Sequence, residues 1–167
     1  MVGAAAMVLV MSSSVFAQGK ANFSGTWTVD AEKTAAANPA PAGGGGGGGR
    51  AGGGGGGRGG GQAGPMTVKQ DATTLSISRE TQNGPQVSAY TLDGKPGKMT
   101  QGQAEVSYTA KVVGATIEIE TTRDMGGQAV TSKQVWSMEG DYLVQSSTQP
   151  GRNGGEPTTR KTYYKKG

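Results

Sequence analysis

The chain has 167 residues, with 16 Lys plus Arg against 12 Asp plus Glu for a net charge of +4, and it contains neither His nor Cys. Those absences exclude an imidazole base, a His metal site, a thiolate nucleophile, a disulfide, structural zinc of the usual kind and a lipid-modified N-terminal Cys. With 32 Gly and 7 Pro, only ~120 to 130 residues are expected to order, enough for one domain.

Met1 to Ala17, MVGAAAMVLVMSSSVFA, carries no charged side chain. Its apolar stretch from Val2 to Met11 is too short to span a bilayer, it softens into serines, and Val15-Phe16-Ala17 places small residues where a signal peptidase reads. It reads as an export signal, although no Lys or Arg precedes the apolar run; a start codon assigned too far downstream would explain that. No later run reaches the ~18 apolar residues of a membrane span, so no integral span is expected.

Residues 18–30 form the first strand by alternation: Phe23, Gly25, Trp27 and Val29 against Ser24, Thr26, Thr28 and Asp30. Residues 31–65 read as one Ala/Pro/Gly-rich loop, expected to be disordered. Within it Ala31 to Ala37 could form one or two helical turns, which Asn38-Pro39-Ala40-Pro41 would stop. Gly43 to Gly61 is nearly pure glycine, with maximal backbone freedom to lose and no side chain to bury. The flexible stretch containing it, about 27 residues long, reaches roughly 30 Å, which lets it join any two neighbouring strands.

From Met66 the sequence turns to short alternating runs separated by turn residues. Strands are expected at Met66 to Asp71, Thr74 to Thr81, Gln86 to Leu92, around Lys98 to Thr100, and at Ala104 to Val112. Further strands follow at Ala115 to Arg123, Gln128 to Met138, Asp141 to Gln149 and Thr158 to Lys165. The turns between them include Gln82-Asn83-Gly84-Pro85, Asp93 to Gly97 and Val113-Gly114. Links this short force antiparallel neighbours, because a parallel return needs a crossover of a dozen or more residues. A flat sheet would leave two edges and an uncovered apolar face with no long helix to cover it, so residues 66–167 together with the first strand are expected to close. The fold expected is all-β, an antiparallel up-and-down β-barrel of about 8–10 strands, with a two-layer sandwich as the alternative.

Gly25-Thr26-Trp27, preceded by Phe23, resembles the G-x-W signature of the calycin superfamily, which comprises lipocalins and fatty-acid-binding proteins. The chain more closely resembles a group of small exported bacterial proteins of lipocalin-like type. The shared features are the FSGTW opening, Tyr90-Thr91-Leu92-Asp93-Gly94-Lys95, Ser107-Tyr108-Thr109-Ala110-Lys111, an Ile-rich strand at Ala115 to Glu120, and Lys133-Gln134-Val135-Trp136-Ser137. The resemblance implies a barrel closed by Gly25 and Trp27, with Arg160 of the last strand covering the indole. Two departures stand out. The glycine tract replaces the two-helix lid of fatty-acid-binding proteins, and Thr162 interrupts the Arg-x-Tyr pair those proteins use to grip a carboxylate.

The function implied is a non-catalytic binding module, periplasmic or secreted, for a small, partly apolar ligand. Tyr90, Tyr108 and Trp136 are the candidate binding residues, and no cofactor or metal is expected. A ligand-free structural or envelope-interaction module is the alternative. Arg160, Lys161, Lys165 and Lys166 would then give weak contact with an anionic envelope surface, or a charged edge that discourages strand pairing. A carboxylate hydrolase would have to use Glu118 and Glu120, whose alternation with Ile117 and Ile119 points instead to a solvated outer face. Arg50-Ala51-Gly52 and Arg58-Gly59-Gly60 offer too little charge and no stacking aromatic, so no nucleic acid is expected. No Lys-Ser/Thr pair ends the glycine run, which excludes a phosphate-binding loop. A monomer is expected. Deleting Gly43 to Gly61 is predicted to leave the melting temperature nearly unchanged; a fall of more than about 10 °C would mean that the tract packs on the barrel.

Overall fold

The computed structural model of the chain describes residues 22–39, 64–81, 84–101, 104–124, 126–151 and 155–167. The export signal and the glycine tract expected from the sequence lie outside these residues. Ten strands form one antiparallel sheet: β1 (Gly25–Val29), β2 (Met66–Gln70), β3 (Thr74–Thr81), β4 (Gly84–Thr91), β5 (Gly97–Gln101), β6 (Ala104–Val113), β7 (Thr116–Asp124), β8 (Ala129–Glu139), β9 (Tyr142–Gln149) and β10 (Thr158–Lys166). Their order is β4-β3-β2-β1-β10-β9-β8-β7-β6-β5. Consecutive strands therefore pair throughout, except β4 and β5, which stand at the two ends of the order, while β1 pairs with β10 and joins the first strand to the last. The sheet is an up-and-down barrel, as expected.

The period-two pattern sets the wall. Leu75 and Ile77 of β3, Val106, Tyr108 and Ala110 of β6, and Ile117 and Ile119 of β7 are buried, while the residues that alternate with them are partly or fully exposed. Tight β-links are built from local side-chain bonds and from glycine. Asp71 accepts from the backbone of Thr73 and Thr74, both at 2.8 Å, and these bonds hold its carboxyl below the usual range. Gly114 and Gly140 turn β6 into β7 and β8 into β9 at φ of 59° and 61°, where a side chain is strained.

One strand begins earlier than the sequence suggests. Pro85 reads as a turn residue, yet it lies in β4 opposite Glu80. β4 stands at one end of the sheet, and an edge strand tolerates a residue without an N–H.

The stretch Ala31–Ala37 is an α-helix, α1, so the Ala/Pro/Gly-rich loop starts later than residue 31. Asp30 caps it, accepting from Lys33 N at 2.9 Å, and Asn38 ends it with N–H donated to Ala35 O at 3.1 Å. The helix lies against β10 where β1 has run out. There Thr34 Oγ1 accepts from Tyr163 N at 3.0 Å, Asn38 Oδ1 from Lys161 N at 2.9 Å, and Asn38 Nδ2 donates to Lys161 O at 2.6 Å. Two side chains thus continue the hydrogen-bond ladder that the short β1 leaves unfinished. Lys33 adds its ammonium over the Tyr142 ring at 4.3 Å, and Tyr163 Oη donates to Glu139 at 3.0 Å. Replacing Asn38 with Ala removes both bonds to Lys161 and is predicted to lower stability by about 1–2 kcal/mol in urea titration, with the fold retained.

Candidate functional site

The ends of the barrel differ. The links β2–β3, β4–β5, β6–β7 and β8–β9 lie at one end, called the base, and the remaining links lie at the other, the rim. At the base, Trp27 is 3% exposed and its Nε1 donates to Phe23 O at 2.8 Å. Gly25 has φ of +144°, and a Cβ there would lie 3.4 Å from Lys166 Cε and 3.7 Å from Trp27 Nε1, so the signature glycine leaves room for the indole and the lysine stem. Arg160 does not cover this tryptophan. β1 pairs only with the last three residues of β10, with Trp27 opposite Lys166, and the Lys166 ammonium stands 6.0 Å from the ring centroid. Arg160 lies six positions back along the strand, roughly 20 Å away, exposed and opposite Ser147. Both side chains belong to the inward register of β10, which is why alternation alone could not choose between them.

Of the three aromatic candidates, the structure brings two together. Tyr90 on β4 and Tyr108 on β6 meet edge to face at 5.1 Å and 82°, and Thr91 N donates to Tyr108 Oη at 3.2 Å. This contact spans the seam where the sheet's two ends, β4 and β5, approach. A Cβ at Gly97 would lie 2.5 Å from Tyr108 Cζ, so β5 can pass beneath the phenol only as glycine. Gly94 N donates to Ala110 O at 2.8 Å and completes the closure. Trp136 is separate: it is fully buried, packs edge to face on Phe23 at 6.2 Å, and is part of the filled base. Its Nε1 is a buried donor without a partner among the described residues.

Toward the rim the inward register changes character. Met66 faces Arg79, Val106 faces Arg123, and Ser147 faces Arg160, which places three guanidinium-bearing residues on the inward face of β3, β7 and β10. Among the described residues no Asp or Glu of a strand shares that face. Arg79 Nη2 donates to Met66 Sδ at 3.1 Å, a weak acceptor, and Arg123 Nη2 donates to the neutral amide oxygen of Gln101. Burial pushes the Tyr90 phenol up from its ordinary value, and the charges of Arg79 and Arg123 pull it part of the way back, so it stays protonated and able to donate at neutral pH. Arg160 apart, much of the inward face of β8, β9 and β10 is polar and neutral. Gln145 Nε2 donates to Gln134 at 2.8 Å, Tyr164 Oη donates to Gln145 at 3.1 Å, and the Thr121 and Ser132 hydroxyls are 2.9 Å apart. Arg79 and Arg123 are not among the residues that the sequence singles out. The signal that reveals them is their place in register with Leu75, Ile77, Ile117 and Ile119.

Glu118 and Glu120 face outward. Glu118 lies 3.2 Å from Lys133 Nζ and 3.6 Å from Lys111 Nζ, and the bond to Lys133 above all holds its carboxyl below the usual range. An ionised, cation-bracketed carboxylate on the outer face is a poor general acid. The basic run at the end of the chain is split by the strand's alternation: Lys161 turns outward to Glu139 at 3.3 Å, and Lys166 turns inward over Trp27.

The fold is that of calycin-type barrels. The chain superposes on the "REP1-NXSQ fatty acid transporter" with TM-score 0.53 and 12% identity, over 86% of this chain and 95% of that one. It superposes on a mutant of the fluorescent protein UnaG with TM-score 0.51 and 13% identity, over 86% and 95% of the two chains. For "secretory abundant heat soluble protein 4 from Ramazzottius varieornatus" the values are 0.50 and 15%, over 86% and 93%. No family model and no curated protein sequence matches the chain. At these identities the likeness lies in the shape of the barrel.

Proposed function

We propose that this chain is an exported, non-catalytic binding module that takes one small ligand into the rim half of its barrel. The observation that carries the reading is the contrast between the two halves. Leu75, Ile117, Trp136 and Leu143 have no exposed surface, whereas the inward side chains nearer the rim, such as Gln86, Ser88, Ser132 and Ser147, are all partly accessible. Barrels of this strand number hold either packed side chains or one small molecule, and this interior divides between the two. A ligand entering from the rim would rest on the Tyr90–Tyr108 pair, while Trp136 supports it from below. A barrel of the same fold that carries a fatty acid, the transporter above, lends support by analogy.

A second reading, a ligand-free structural module, draws on the same filled base, which leaves the guest only half of the interior. Native mass spectrometry of protein taken from its own envelope or medium separates the two. A retained small molecule, lost in a Ser88→Trp variant that plugs the rim half, is the expected result. Protein that leaves its source with no bound mass, and gains none from a total small-molecule extract, would assign the barrel to the structural role.

A further inference from the structure

We infer that the rim half of the barrel is a receptor site for a hydrophilic organic anion, a monocarboxylic acid with a hydroxylated body such as a sugar acid, whose carboxylate is held by Arg79 and Arg123. The inference rests on the reading of the interior as a binding site and adds the chemistry of the guest.

The charge distribution argues for the anion. All twelve acidic residues lie within the described chain, and those on strands face outward: Glu80, Glu105, Glu118, Glu120, Asp124 and Glu139. The outward cations use them, in the pairs Lys98–Glu105, Lys133–Glu118 and Lys161–Glu139. The inward arginines have no such partner among the described residues. Arg79 leans on a thioether and Arg123 on a neutral amide, and both keep guanidinium donors free to bind a carboxylate. Low-dielectric walls around like charges make a cleft attractive to the opposite sign. The protonated Tyr90 phenol stands within the field of both guanidiniums and supplies a further donor.

The polar wall argues for the body of the guest. A long acyl chain would need an apolar tunnel, but the apolar part of this interior is occupied by its own side chains. Besides Arg160, the inward register of β8, β9 and β10 carries Ser132, Gln134, Gln145, Ser147 and Thr162, each partly accessible. Hydroxyls and amides select partners that both donate and accept, and they reject alkyl groups that leave them unpaired.

Calorimetric titration of the full-length mature protein with D-glucuronate, D-glucose, inorganic phosphate and laurate tests this. Saturable binding of glucuronate is expected, with glucose and phosphate each at least ten-fold weaker and laurate not bound. Arg79→Gln and Arg123→Gln are each expected to raise the Kd for glucuronate ten-fold or more. Lys165→Gln, which removes an outward charge, is expected to leave it unchanged. Arg79→Lys keeps the charge and guards against misfolding; it is expected to bind more tightly than Arg79→Gln at the same melting temperature. Glucuronate bound equally well by the Arg79→Gln/Arg123→Gln double variant overturns the inference while leaving a binding barrel in place, as does laurate bound in preference to glucuronate. Phosphate binding as well as glucuronate overturns the sugar-acid assignment. Saturation by none of the four probes overturns the inference outright, and the native mass measurement then decides separately whether the barrel holds any guest.

Discussion

A ribbon of ten strands has two loose ends, and the structure depends on how they meet. β4 and β5 share no hydrogen-bond ladder. Tyr108 makes the joint from the next strand in, laying its ring against Tyr90 and its hydroxyl against the Thr91 amide. Gly97 permits this by having no Cβ to collide with the phenol. Closure by a side chain in place of backbone pairing fixes the curvature that every inward side chain inherits.

Curvature then sorts chemistry by depth. Near the base the wall converges on Phe23, Trp136 and Leu143, and there is room only for their own packing. Near the rim the inward positions carry amides, hydroxyls and guanidiniums, which would be costly in a dry core and are not costly where water or a polar guest can reach them. On the outer surface Lys98, Lys133 and Lys161 pair with Glu105, Glu118 and Glu139, while Arg79, Arg123 and Arg160 of the inward face have no acidic partner among the described residues.

Most of this architecture is legible in the sequence because alternation is a local property. Most strand positions, the helical turns after Asp30 and the outward face of Glu118 and Glu120 follow from neighbours a few residues apart. What the sequence withholds depends on register between distant strands. Lys166 and Arg160 both face inward, and only the offset of β1 against β10 decides which of them reaches Trp27. The same holds for the interior arginines: Arg79 and Arg123 are 44 positions apart in the chain, and nothing local to either says that they share one lumen. Trp136 is legible as an inward aromatic, but its depth, which removes its ring from the surface a guest would meet, follows from Phe23 arriving from the other end of the chain.

The helix after β1 shows a further economy of the fold. Where β1 stops, Thr34 and Asn38 take over the β10 backbone at Tyr163 and Lys161 as an eleventh strand would. A side-chain splice of this kind is finite: it satisfies two residues and offers no edge of its own for the next molecule to zip onto. Stripped of the splice, β10 would show strangers a row of thirsty amides, so the first symptom of its loss would be clumping at high concentration, ahead of any unfolding.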